Sequence, residues 1–165
     1  MKSVFAVFSE VNKAKEAVEH LLRDGYKEEQ MNSIVQETVA KNYLDVNRQE
    51  IKVEMTDALG GKRIRGLSAL FGGQQAVFTS DTGRVYAAGP VATTIAGSSA
   101  GSGFANTGLE GSLERFALPK ESAHIYQKSV AGGGLLFWIR VDDEKVYQAV
   151  SVIKDHQGAS VVTIE

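Results

Sequence analysis

The chain has 165 residues, 18 Lys and Arg against 20 Asp and Glu, and a formal net charge of −2. That length suits one domain carrying a sizeable insertion, which buries about two-thirds of its unfolded surface without staples. It has no cysteine, which excludes disulfides, thiolate metal sites, cysteine nucleophiles and thiol switches, and the near-balanced charge lacks the basic face that nucleic acid or an anionic membrane attracts.

The first apolar run, residues 4–8, is too short for a signal peptide and reads as a buried strand. No run reaches the roughly 20 apolar residues that span a bilayer, and a cytoplasmic location is expected. Ser9 offers a hydroxyl as the N-cap of a following helix. Ala14, Ala17, Val18, Leu21 and Leu22 recur on one face of that helix, with Lys13, Lys15, Glu16 and Glu19 on the other. Gly25 is placed to stop it, and residues 33–39 follow as a second strand around Ile34 and Val35.

The middle of the chain differs in kind, since 15 of the 17 glycines lie from Gly60 to Gly134. Residues 42–56 are polar and end in a strand-like Ile51, Val53 and Met55. Residues 75–80 and 84–88 flank Asp81-Thr82-Gly83, the signature of a hairpin. From residue 89 to 111 the chain is small and glycine-rich; residues 110–116 then suggest a short helix, and Pro119 opens another. That second helix carries Ala123, Tyr126, Gln127 and Val130 on one side and ends at Gly132-Gly133-Gly134.

The C-terminal part repeats the opening layout. Residues 135–141 read as a strand, Asp142 as an N-cap, and Val146, Ala149, Val150 and Ile153 as the buried stripe of a helix. Gly158 ends that helix, and residues 160–164 are the last strand. Two βαβ units of this kind predict an α+β fold, a ferredoxin-like split βαβ domain with an antiparallel sheet and its helices on one face. A glycine-rich insertion with a hairpin and short helices separates them. Residues 1–165 form a single domain, with the first βαβ unit at 1–40, the insertion at 41–117, and a helix plus the second unit at 118–165.

No motif here carries a catalytic constellation, a metal site or a cofactor. Gly103 and Gly108 have the spacing of the first half of a phosphate-binding loop, but Leu109 and Glu110 stand where Lys and Ser or Thr belong. Gly97 and Gly101, one helical turn apart, point instead to close packing, within the chain or between copies. Lys62, Arg63 and Arg65, bounded by Gly60, Gly61 and Gly66, offer an anion site or a solvated loop. His20 and His156 fall near the ends of the two flanking helices, where a cation complements the dipole; none of the three, His124 included, has another histidine or a carboxylate at a convincing metal spacing, so a structural role is expected for each. Trp138, inside an apolar strand, reads as core.

Several segments together resemble a known family. Val4-Phe5-Ala6-Val7-Phe8, the helix ending at Gly25-Tyr26, Gly83-Arg84-Val85-Tyr86-Ala87-Ala88-Gly89-Pro90-Val91-Ala92 and Leu118-Pro119-Lys120-Glu121-Ser122-Ala123 with Tyr126 are similar to the bacterial YflT-type heat-induced (general stress) protein domain. Gly132-Gly133-Gly134-Leu135-Leu136 is similar to its glycine step into a strand. The resemblance implies a stress-linked protein and transfers no catalytic residue. The expectation is therefore a non-enzymatic homo-oligomer or partner-binding protein, associating through Gly89, Gly97 and Gly101. The alternative is a sensor or enzyme that takes a small anionic ligand at Lys62, Arg63 and Arg65.

Overall fold

The computed structural model describes residues 1–44, 67–71, 77–79, 81–96 and 104–165. Strand β1 (Lys2–Phe8) leads into helix α1 (Val11–Arg23), strand β2 (Met31–Gln36) and helix α2 (Glu37–Tyr43). A single helical turn α3 (Leu67–Leu70) and the hairpin of β3 (Val77–Thr79) and β4 (Gly83–Ala88) come next. Helices α4 (Pro90–Ala96), α5 (Phe104–Arg115) and α6 (Lys120–Ala131) follow. The second unit is β5 (Leu135–Val141), α7 (Val146–Asp155) and β6 (Ala159–Ile164).

The six strands stand in the order β3-β4-β2-β5-β1-β6, and every neighbouring pair is antiparallel. In the central four, β1 and β2 flank β5 while β5 and β6 flank β1. Each βαβ crossover therefore straddles one strand, which is the split βαβ arrangement. The hairpin extends this sheet beyond β2.

Both crossover helices lie on one face. Ala14, Ala17, Val18 and Leu21 of α1 and Ala149 and Ile153 of α7 are buried against Val4, Ala6, Phe8, Phe137 and Ile139. The helices run antiparallel. Just past the end of α1, the Tyr26 hydroxyl donates to the Lys145 carbonyl at the start of α7 (3.1 Å). Earlier in α1, Glu16 lies 3.6 Å from His156, just beyond the end of α7.

The opposite face is covered too. Phe5, Val7, Ile34, Val85, Ala87, Leu136 and Trp138 pack beneath Ala92 of α4, Leu109 and Leu113 of α5, and Ala123, Tyr126 and Val130 of α6. Phe5 stacks on Trp138 (4.9 Å between centroids, planes 17° apart) and Phe116 meets Phe5 edge-on at 5.9 Å. Leu109, Leu113, Leu118, Tyr126 and Val130 are each buried. At about 2 kcal/mol for each large side chain, the layer contributes on the order of 10 kcal/mol, comparable to the whole net stability of a domain. The chain itself, not a partner, therefore covers the face that a bare ferredoxin-like sheet leaves open.

Local details differ from the sequence reading at several points, among them that Lys145, not Asp142, is the N-cap of α7. Glu10, not Ser9, occupies the N-cap of α1, and no side chain caps that helix. The second strand ends at Gln36, because Glu37 already begins α2 with an acidic side chain in its first turn. At the end of α7 the left-handed residue is Gln157 (φ 70°), while Gly158 follows it and donates its N–H to the Ile153 carbonyl (2.8 Å).

Candidate functional site

One long edge of the sheet is unpaired. β6 hydrogen-bonds to β1 on its inner side, with Ser3 opposite Ile164, Val4 opposite Thr163 and Phe5 opposite Val162. Among the described residues no strand pairs with its outer side. The register slips between Phe5 and Val7, beside Ser160, which holds a left-handed φ of 52°. The Ser160 carbonyl accepts the Tyr126 hydroxyl at 2.6 Å, which pins the irregular end of the strand to α6. Residues 161–164 remain as a regular edge. They read Val-Val-Thr-Ile, with no charge and no proline, and Val161, Val162 and Ile164 are half-buried while Thr163 is exposed. Natural edges of this length are normally blunted by lysine, proline or a covering segment; among the described residues the bulge is what limits this edge. The opposite edge, β3, has three residues.

Beside the bulge lies a groove of about 420 Å³ lined by Val7, Phe8, Ser9, Lys128, Ser129, Gly132, Gly134, Gln157, Ala159 and Ser160. A smaller one of about 270 Å³ shares Ser9 with it and runs over Val11, Asn12, Val39, Tyr43 and Gly133. The larger groove presents hydroxyls, one amide and one ammonium on a lining that is mostly apolar. Burial holds the Tyr126 phenol well above its ordinary value, so that hydroxyl stays a donor throughout the neutral range. Tyr26 is raised as well, by burial first and then by the negative charge of Asp24.

The chain matches no protein-family model, no curated protein and no solved structure.

The residues singled out from the sequence fall in different places. Lys62, Arg63, Arg65, Gly97 and Gly101 lie outside the described residues, as do Gly103 and the strand-like Ile51, Val53 and Met55. Gly89 packs inside the chain. Its φ is +102°, and a Cβ there would run into the Met31 carbonyl and lie 2.6 Å from Asn32 Oδ1. The Asn32 side chain occupies that corner because its Oδ1 accepts the N–H groups of Val91 (2.8 Å) and Ala92 (2.9 Å) at the start of α4. Asn32 Nδ2 and Trp138 Nε1, on directly opposed residues of β2 and β5, are buried without a hydrogen-bond partner.

The phosphate-loop spacing at Gly108 has a structural explanation. Gly108 (φ 71°) kinks α5, and the Asp81 carboxylate of the hairpin turn accepts the N–H groups of Leu109 (2.8 Å) and Glu110 (3.2 Å) that follow the kink. The backbone donors an anion would need are taken by the chain's own carboxylate. Gln127 ties the same turn to α6 by donating to the Asp81 carbonyl at 3.1 Å.

Two of the three histidines pair in the fold. His20 Nδ1 and His156 Nε2 are 3.1 Å apart across α1 and α7. Asp24 lies 3.5 Å from the other nitrogen of His20, and Glu16 lies 3.6 Å from the other nitrogen of His156. The legible signal was the matching pattern of the two flanking helices, since a split βαβ fold sets them side by side. His124 is held separately by Glu110 at 2.9 Å.

Proposed function

We propose that the protein acts by association of copies of itself, without catalysing a reaction, and that it belongs to bacterial stress physiology. The observation that carries this reading is the unpaired edge at residues 161–164, uncharged and free of proline, on a sheet whose two faces are both covered. An edge of this kind offers backbone donors and acceptors to another strand. An antiparallel pairing of β6 with its own copy about a twofold axis is self-complementary, the commonest way for a soluble protein to form a closed oligomer. The small net charge of −2 opposes such pairing little. The stress assignment draws on the resemblance of the strand, helix and glycine segments to the YflT-type heat-induced domain. The alternative anion-binding reading at Lys62, Arg63 and Arg65 draws on residues outside the described ones.

Light scattering after size exclusion tests the association. The wild-type chain should run as a dimer in the micromolar range, and Thr163→Lys as a monomer, because a lysine would meet its own copy across the twofold. Thr163 is exposed, so the substitution should change folding stability by no more than about 0.5 kcal/mol. A wild-type monomer at every concentration, or a dimer indifferent to Thr163→Lys, would rule out this edge.

A further inference from the structure

We propose that His20 and His156 form a two-histidine clip for a divalent late-transition metal of the zinc class, open to solvent between α1 and α7. The argument begins with hydrogens. Asp24 and Glu16 face the outer nitrogens, His20 Nε2 and His156 Nδ1, and a carboxylate in that position favours an N–H there. Two neutral imidazoles have one hydrogen each. With both hydrogens turned outward, the inner nitrogens, His20 Nδ1 and His156 Nε2, face each other as lone pairs across 3.1 Å. Turning one hydrogen inward gives an ordinary N–H···N bond at this distance, whereas a metal beside the pair takes both inner lone pairs and leaves both hydrogens on the carboxylate side.

The spacing suits the metal. Zinc binds imidazole nitrogen at 2.0–2.1 Å in tetrahedral geometry, which sets two ligating nitrogens about 3.3 Å apart. The observed separation is within a few tenths of an ångström of that. The ligands come from elements 136 residues apart in the chain, so the fold, not a local turn, brings them together. The outer carboxylates, at 3.5 and 3.6 Å from the outer nitrogens, stand on the side where the second shell of a protein zinc site stands. Gln148 donates to Asp24 at 3.3 Å, and Lys13 lies 3.8 Å from Glu16, so each carboxylate is itself held. The side chains of His20 and His156 are 35% and 22% exposed, leaving room for water to complete the coordination. Among the described residues no group of three or more protein ligands converges, so the clip supplies two ligands and binds exchangeably.

The test is a titration of zinc chloride into the full chain at about pH 7.5, followed by calorimetry and thermal melting. One zinc per chain should bind with micromolar affinity, and zinc at a hundredfold excess over the dissociation constant should raise the melting temperature by roughly 5–10 °C. Binding should vanish in His20→Gln and in His156→Gln, weaken about tenfold in Asp24→Asn, and persist in His124→Ala. Both clip histidines are partly exposed, so the variants should keep the wild-type circular dichroism. No heat and no thermal shift in the wild-type chain at pH 7.5, or binding that survives in both clip variants, would overturn the proposal.

Discussion

Tyr126 carries more of the fold than its position in a helix suggests. Its ring is buried and stacks near Phe5 at 6.1 Å, and its hydroxyl binds the carbonyl at the β6 bulge (2.6 Å). Burial raises its proton affinity, so the folded chain keeps the phenol neutral where the unfolded chain ionises it. The sign follows from linkage: below pH 10, the ordinary phenol value, the contribution is fully present, and above it the unfolded state releases a proton that the folded state retains. Stability should therefore fall as pH climbs past 10. Tyr126→Phe should cost about 1 kcal/mol at neutral pH by losing one hydrogen bond, and should flatten part of that alkaline decline. Denaturant melts of both proteins at pH 7 and pH 11 measure the two effects, and equal alkaline slopes would refute the assignment. Two other residues depart from local rules. Ala117 and Gln157 hold left-handed backbone (φ 78° and 70°) after α5 and α7, where a glycine would be easier.

At the scale of elements, the hairpin and α5 depend on one side chain. Asp81 accepts two backbone N–H groups beyond the Gly108 kink, and Thr82 donates to the same carboxylate at 2.9 Å. Asp81→Ala should destabilise the protein by about 1–2 kcal/mol, the usual cost of a lost cap, while Asp81→Asn should recover much of it through its remaining carbonyl oxygen. Thermal melts of the pair decide this; equal losses in both variants would mean that charge, not capping, is what matters. No sequence pattern linked Asp81 to residues 28 positions later, whereas the strands and flanking helices were readable because their periodicity is local. The residues 135–141 strand was legible to the residue. The second helical layer was legible in principle: residues 4–8 and 135–139 are apolar at every position instead of alternating, which marks strands buried on both faces. The boundary at Glu37 was not legible, because Val39 and Ala40 suit a strand or a helix alike until their segment packs against β2 and β4.

At the scale of the whole molecule, the described residues close two surfaces that association would use. The layer of α4, α5 and α6 covers the face a ferredoxin-like sheet would expose, and Gly89, one of the glycines expected at an interface, is filled by Met31 and Asn32 of its own chain. Among the described residues no helix is long and apolar enough to cross a membrane. The β6 edge remains, at the opposite side of the sheet from the inserted hairpin. Its geometry also explains why the sequence could not reveal it. Residues 160–164 read as an ordinary strand, and whether a strand is central or at the edge depends on topology, not on its own composition. The clip at His20 and His156 shares this character, since each histidine is unremarkable alone.

Hydrogen exchange of the β6 amides, followed at low and high protein concentration, tests association through this edge most directly. If β6 pairs with its own copy, the outward-facing amides of residues 161–164 should exchange more slowly as concentration rises, while amides of the exposed helix faces stay unchanged. If those amides exchange at one rapid rate at both concentrations, the edge is free and the account of the protein as a self-associating one through β6 is wrong.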